Sequence, residues 1–322
     1  MRLWTYSDSC NMKHEGCCAE SAVEDARRVC DKLGIDFYVM NFKDMFKDKV
    51  VDYFVDEYIH GRTPNPCIAC NKYLKFDALL KKALAMGIDY VATGHYAKIE
   101  KGEDGKYILR ASEAVKKDQS YVLYNFTQEQ LAHTLMPLGG YNKDWVRQKA
   151  EELGLGVAHK PDSQEICFVE DDDYAKFITD YSGYKPKEGD ILDVNGNVIG
   201  KHRGLIYYTI GQRKGIGAYG RPMFVMKIDA ENNTITLGEK GMEFSNELTA
   251  YDVNFVSGEF PKENMLITAK VRYQAPPAAA MLCPQKDGTV KLMFPEPQRA
   301  VTPGQAVVFY DGDIVLGGGT VL

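Results

Sequence analysis

The pattern of this chain changes once along its length, and that change constrains the fold more than any single residue does. Over the first 130 residues or so, helix and strand signals alternate. Ala19, Ala22, Val23, Ala26, Val29, Cys30 and Leu33 recur at helical spacing, with Gly34 where a C-terminal cap belongs. Residues 35–41 then read as a buried strand. A second helix is predicted over about 44–58, and a third carries Phe76, Leu79, Leu80, Ala83 and Leu84 up to Gly87. Residues 90–93 form a strand that stops at Gly94-His95. Such alternation implies βαβ units and a parallel sheet, and parallel sheets bind ligands beyond the carboxyl ends of their strands. Gly94 and His95 are therefore site candidates on topology alone. From about Gly183 the helical period gives way to glycines and short β-type runs at 205–210, 223–228, 234–237, 266–273, 290–294 and 306–310. Turn signals sit at Asn195-Gly196, Asp287-Gly288 and Asp311-Gly312. The division that follows is an α/β domain over 1–170, a small central β-rich domain over 171–241 and a C-terminal β domain, barrel or sandwich, over 242–322.

Composition removes several classes. With 45% hydrophobic and 26% charged residues the 322-residue chain has real cores and is not disordered. No apolar run approaches the length of about 18 residues that a membrane helix needs, and residues 1–8 lack the apolar centre of a secretory signal. The net charge of -6 supplies no global field for nucleic acid, so any such surface is local. Eight cysteines in a long chain without a secretory signal point to a reducing, cytoplasmic setting, and to chemistry or metal rather than a disulfide scaffold.

The densest chemical signal is Gly61-Arg62-Thr63-Pro64-Asn65-Pro66-Cys67-Ile68-Ala69-Cys70-Asn71. Two prolines stiffen a turn, and a Cys-x-x-Cys pair follows where a helix begins. A helix N-terminus favours the nucleophilic thiolate, and Arg62 and Lys72 add to that field. Half a zinc site and a redox dithiol are the alternatives. Cys167, between Ile166 and Phe168, reads alone as a small buried hydrophobe, as do Cys10, Cys30 and Cys283; Cys17-Cys18 is less clear. His95 suits either a base or phosphate contact or a structural hydrogen bond. Lys117-Asp118-Gln119-Ser120 reads as a helix cap, and the acidic residues 170–173 as a solvated helix start. The stretch 201–221 holds five basic residues (Lys201, Arg203, Arg213, Lys214, Arg221) and no acidic one, with Tyr207, Tyr208 and Tyr219 interleaved. That is the composition of a local RNA-binding surface, and also of an ordinary basic hairpin.

Taken in order, these motifs resemble the tRNA-specific 2-thiouridylase family of the MnmA type. The resemblance runs through 61–71, 90–96, 117–119, 162–168, 207–213, Arg272-Tyr273 and 296–310. It implies an α/β N-terminal domain like the adenine nucleotide alpha hydrolases (PP-loop type) followed by two small β-rich domains, the last a β-barrel. It implies a tRNA-uridine 2-sulfurtransferase: ATP, with Mg2+, adenylates O2 of the wobble uridine (U34), and a persulfide sulfur displaces the activated oxygen. By position Cys167 carries the persulfide and Cys70 frees its sulfur, the two closing a disulfide. Met1 and Gly94 would contact the nucleotide. Asn65, Pro66 and Cys67 would meet the target base, His95 the approaching tRNA, Lys117, Asp118, Gln119, Arg272 and Tyr273 the tRNA body, and Gln305 the region near the base. The implied partners are tRNA and a sulfur relay or cysteine desulfurase, with no membrane, for a monomer in the cytoplasm.

Two departures from the family pattern carry expectations. Many members have Asp where this chain has Cys67, so Cys67, Cys70 and Cys167 are expected to offer three thiolates to a [4Fe–4S] cluster. The family's opening strand, Ser-Gly-Gly-Val-Asp-Ser phosphate loop and helix have no counterpart, and residues 1–6 match its second strand. On that ground the 322 residues are expected not to catalyse ATP–pyrophosphate exchange. The rival reading is a tRNA-binding remnant unable to adenylate.

Overall fold

The computed structural model describes residues 20–114, 117–160, 166–169 and 173–322. The expected strand at 1–6 with Met1, the cysteines Cys10, Cys17 and Cys18, residues 162–165 of the Cys167 motif and the acidic residues 170–172 lie outside them.

The helices fall where the apolar spacing puts them. The first spans Glu20–Leu33 and ends at Gly34, whose φ of +67° is the left-handed cap a Cβ disfavours. The second is continuous over residues 43–59, with a π-wound stretch at Lys47–Val51 between α-helical Lys43–Phe46 and Asp52–Ile59. The third runs over residues 66–85: α-helical at Pro66–Ala69, π-wound at Cys70–Ala78 and α-helical again at Leu79–Ala85. One expectation fails between them. Residues 35–40 are not a buried strand: Ile35 is 56% and Val39 50% exposed, and only Asn41 forms an isolated bridge. Among the described residues no sheet covers their apolar side chains.

Strands are numbered along the chain. β1 (Val91–Ala92) pairs in parallel with β4 (Thr134–Leu135), the parallel sheet of the first domain. Between them β2 (Ala97–Lys101) and β3 (Tyr107–Ala111) form a hairpin that leaves this sheet and joins the C-terminal one. The central sheet has the order β6-β5-β8-β7, from β5 (Gly189–Leu192), β6 (Val198–His202), β7 (Met223–Asp229) and β8 (Thr234–Glu239). The C-terminal part contributes β9 (Phe244–Phe255), β10 (Met265–Lys270), β11 (Ala278–Pro284), β12 (Val290–Arg299), β13 (Ala306–Asp311) and β14 (Ile314–Val321). The ladder β13-β10-β11-β12-β9-β14 closes because β13 also pairs with β14. A six-stranded barrel results, closed without a free edge. Its interior holds Leu248, Ala269, Leu282, Leu292, Val307 and Phe309.

The run 205–210, expected as a strand, is instead a 3₁₀ turn at Leu205–Tyr207. Gly204 (φ +126°) and Gly211 (φ +81°) bracket it, and its side chains serve two cores. Leu205 and Tyr208 pack into the central sheet, while Ile206 enters the core of the helical domain. A strand with one buried face cannot divide its residues in that way.

The first domain and the barrel share a core. Ile68, Phe76, Leu109, Tyr121, Leu123 and Leu131 pack with Ala306, Val308, Tyr310 and Val315. Tyr121 donates its hydroxyl to the Ala306 carbonyl at 2.6 Å, and Arg110 of β3 bridges Glu100 and Asp313. Through that shared core the barrel positions the loop that carries the cysteines.

Candidate active site

Helix 43–59 ends at Gly61, where φ is +73° and a β-carbon would lie 2.7 Å from Ile228 Cγ2 of β7. Buried Glu57 accepts both guanidinium arms of Arg62, and the Arg62 N–H bonds the Glu57 carbonyl at 2.9 Å. This paired contact holds the chain as it leaves the helix. The next two residues are tied to the barrel. The Thr63 N–H donates to the Pro303 carbonyl and the Gln305 side-chain amide donates to the Thr63 carbonyl, each at 2.9 Å. Gly304, with φ +87°, fits between: a β-carbon there would lie 3.0 Å from both Arg62 Cβ and Thr63 N.

Thr63 and Asn65 each precede a proline and so favour extended backbone; Asn65 sits at φ −113°, ψ 96°. Its side-chain oxygen accepts from Cys67 N at 3.1 Å and Ile68 N at 3.4 Å, and Pro66 fills the first helical position. Asn65 and Pro66 thus start the helix, with Cys67 in its first turn. Cys70 lies where winding passes from α to π, a transition that recurs at functional sites.

The two thiols of the Cys-x-x-Cys pair have different surroundings. Cys67 is exposed, and the Tyr273 phenol is held above its ordinary range by burial, then by Asp118, then by Cys67. Tyr273 donates its hydroxyl to the Asp118 carbonyl at 3.0 Å. The Asp118 carboxylate accepts from Ser112 N, Ser120 N and Ser120 Oγ; the expected helix cap is not formed, since the 3₁₀ turn Ser120–Leu123 has Gln119 at its N-cap with no side-chain cap bond. Gln119 exchanges two bonds with the Tyr96 backbone, at 2.9 and 3.0 Å. A connected set of contacts therefore runs from Tyr273 through Asp118 and Gln119 to Tyr96, next to the strand end at Gly94-His95. Arg272, beside Tyr273, donates to the Arg299 carbonyl at 2.7 Å, and burial and Arg299 lower its pKa. Lys117 lies in the same loop.

Cys70 is 7% exposed in the core of Phe46, Phe54, Leu74, Ile178 and Ile206. The same core takes Phe168, whose ring centroid lies 5.3 Å from Phe54 and 5.7 Å from Phe46, and Ile166 packs against it. Both neighbours of Cys167 thereby belong to the core that also holds Cys70, while Cys167 itself is exposed. That corrects the expectation of a buried small hydrophobe: its flanks occupy the core and turn the thiol outward. The cluster expectation is corrected as well. Among the described residues no three His, Cys, Asp or Glu side chains converge to hold a metal, so a [4Fe–4S] cluster on Cys67, Cys70 and Cys167 is not supported. Its thiolates would have to point at one centre, whereas Cys70 is buried in an apolar core and Cys67 and Cys167 are exposed.

His95 has the structural bond. Thr93 Oγ1 and His95 Nδ1 lie 2.9 Å apart, the ring centroid is 5.6 Å from Phe76, and burial, with Lys75 nearby, pushes its pKa down to about 3. Gly94, at the carboxyl end of β1, has only Leu138 within van der Waals distance of where a β-carbon would be. The basic stretch is partly neutralised: Lys201 pairs with Asp190, Arg221 with Glu239, and Arg203 stacks 4.0 Å over the Tyr207 ring. Thr63 and Gly304 stand inside sequence motifs that assign neither a role of its own, although Pro303-Gly304 marks a turn there.

Comparison with known proteins shows the family. The chain is 57% identical to the tRNA-specific 2-thiouridylase MnmA of Acetivibrio thermocellus, with all of this chain and 90% of the relative aligned. It is 56% identical to the protein of the same name from Clostridioides difficile, over all of this chain and 89% of that one. This chain belongs to the tRNA-specific 2-thiouridylase MnmA family. Residues 1–171 match the family described as tRNA methyl transferase HUP domain, 175–239 its PRC-barrel domain and 245–321 the aminomethyltransferase beta-barrel domain. Among the described residues no helix is long and apolar enough to cross a membrane.

Proposed function

We propose that this chain replaces the 2-oxygen of the wobble uridine of tRNA by sulfur. ATP, with Mg2+, transfers its adenylyl group to uridine O2 and pyrophosphate leaves. The outer sulfur of a persulfide on Cys167 attacks C2 and expels AMP. The Cys70 thiolate then attacks the Cys167 sulfur, which frees the 2-thiouridine and leaves a Cys70–Cys167 disulfide for a cellular reductant to reset. The sulfur comes from a relay of donor proteins or a cysteine desulfurase.

The observation that carries this reading is the core shared by Cys70 and the residues on both sides of Cys167. It brings one exposed and one buried cysteine from distant parts of the chain to the same part of the fold. Gly94 ends a parallel strand, where adenine nucleotides bind in sheets of this kind, and lacks a side chain that would obstruct the ring. Cys67, Pro66 and Asn65 at the adjoining helix start receive the splayed-out base, with Asp118, Gln119, Tyr273 and Arg272 beside it. Unstacked anticodon bases are read by proteins in this manner.

The test is thiolation of a tRNA transcript by the purified protein with ATP, cysteine and a cysteine desulfurase, read by nucleoside mass spectrometry. With the family's phosphate-loop segment joined ahead of residue 1 the protein yields 2-thiouridine at the wobble position, and Cys70→Ser and Cys167→Ser in that protein each abolish multiple turnover, whereas the 322 residues alone are expected to yield none. Full turnover by either variant would sink the two-cysteine mechanism.

A further inference from the structure

Helix 66–85 has a second face that the cysteine chemistry does not use. Ile68, Ala69, Lys72 and Tyr73 follow Asn65 at helical spacing along one side and line a cavity of about 350 Å³. Cys67 and Cys70 are not among its lining residues. The opposite walls come from helix 43–59, from the segment after Tyr121 and from β9, with Gly304 at the edge. The volume lies within the usual range for small-ligand sites.

Four tyrosines dominate the lining: Tyr53, Tyr73, Tyr124 and Tyr251. All four line the same space, and burial, then Glu57 and the phenols of Tyr251, Tyr124 and Tyr73, raise the pKa of Tyr53. The hydroxyls of Tyr53, Tyr73 and Tyr251 make no hydrogen bond to a described residue. Charge at the cavity is balanced: Lys72 pairs with Asp252 at 2.7 Å, and Asp48 stands with Lys49. A balanced rim does not select a phosphate. Ring faces with unused phenol hydroxyls suit a flat, uncharged heterocycle that has N–H and C=O groups at its edge.

We propose that this cavity binds one nucleobase, stacked on a tyrosine ring and held at its edge by the phenol hydroxyls, on the side of the helix away from the cysteines. The base belongs either to a free nucleoside or to an unstacked residue of a bound RNA.

Calorimetric titration of the full chain, without ATP or sulfur donor, separates this site from the thiolation chemistry. One arm uses the four ribonucleosides; the other uses single-stranded pentaribonucleotides of each base. Saturable binding in the first arm identifies a free nucleoside as sufficient, and binding in the second arm alone identifies an RNA base. In either case Tyr73→Ala is expected to weaken binding about tenfold. Tyr53→Phe keeps the ring and the packing and removes only a hydroxyl, so a measurable loss is expected from it even if Tyr73→Ala disturbs the fold. No saturation up to about 10 mM in either arm overturns the proposal, as does wild-type affinity in both variants.

Discussion

Replacing Gly304 by alanine tests whether the barrel positions the cysteine loop. Two costs add. The residue sits at φ +87°, where a β-carbon costs about 1–2 kcal/mol. The new carbon would also lie 3.0 Å from Arg62 Cβ and Thr63 N, and neither can rotate aside as a side-chain tip would. Pushing them back a few tenths of an ångström adds about 1 kcal/mol, for a total of about 2–3 kcal/mol. Gly312 is the control: its φ is +58°, but nothing lies within 4 Å, so Gly312→Ala bears only the backbone cost. Differential scanning fluorimetry should show Gly304→Ala melting about 5 °C below wild type and Gly312→Ala shifted about half as far. Thiolation kinetics should separate them further. Gly304→Ala displaces Thr63, and with it Asn65 and Cys67, so kcat falls about tenfold or more while KM for tRNA changes little. Gln305→Ala, which loses only the bond to the Thr63 carbonyl, should show a smaller effect of the same kind, at a cost of about 1 kcal/mol. Equal melting and equal kcat for Gly304→Ala and Gly312→Ala would refute the role given to the barrel. A KM effect confined to Gln305→Ala would assign that side chain to tRNA contact instead.

Three further outcomes are expected. Phe168→Ala removes a ring packed against Phe46, Phe54 and Phe177, so it should cost about 3–5 kcal/mol in urea denaturation and slow disulfide closure between Cys70 and Cys167; unchanged closure would separate that core from the chemistry. Asn65→Ala deletes the cap of the cysteine helix, at a cost of about 1 kcal/mol, whereas Asn65→Asp should restore stability, both read from the denaturation midpoint. His95 is neutral in the fold down to about pH 3 but takes up a proton near pH 6.5 when unfolded, so its stabilising effect is complete above pH 6.5 and is lost as pH falls towards 3. Between pH 7 and pH 5 this amounts to about 2 kcal/mol, and His95→Gln should flatten that part of the stability profile.

Local pattern carried far in some places and failed in others for identifiable reasons. The three N-terminal helices, the left-handed cap at Gly34 and the strand end at Gly94-His95 follow from spacing of nearby residues, because helix periodicity and turn chemistry act within a few positions. Residues 35–40 and 205–210 looked like strands because short apolar runs do not reveal what covers them. At 205–210 the run feeds two different cores, which no period along the chain records. Cys167 was misread for the same reason: two large apolar neighbours suggest a buried thiol, but those neighbours fill the core and leave the sulfur outside.

The sequence by itself determined the helix-and-strand alternation, the change to β structure and the proline-stiffened helix start that carries Cys67 and Cys70, all properties of contiguous residues. Its ordered motifs also pointed to the family. Only the tertiary structure decided that the two cysteines differ, one exposed and the other buried in an apolar core. It also decided that β2 and β3 leave their own sheet for the barrel, and that Pro303, Gly304 and Gln305 hold Thr63 across an interval of more than 230 residues. The physical reason is common to these cases. Backbone hydrogen bonds and close packing between distant segments depend on where the chain returns, and that is set by the closure of the barrel and the core it shares with the first domain.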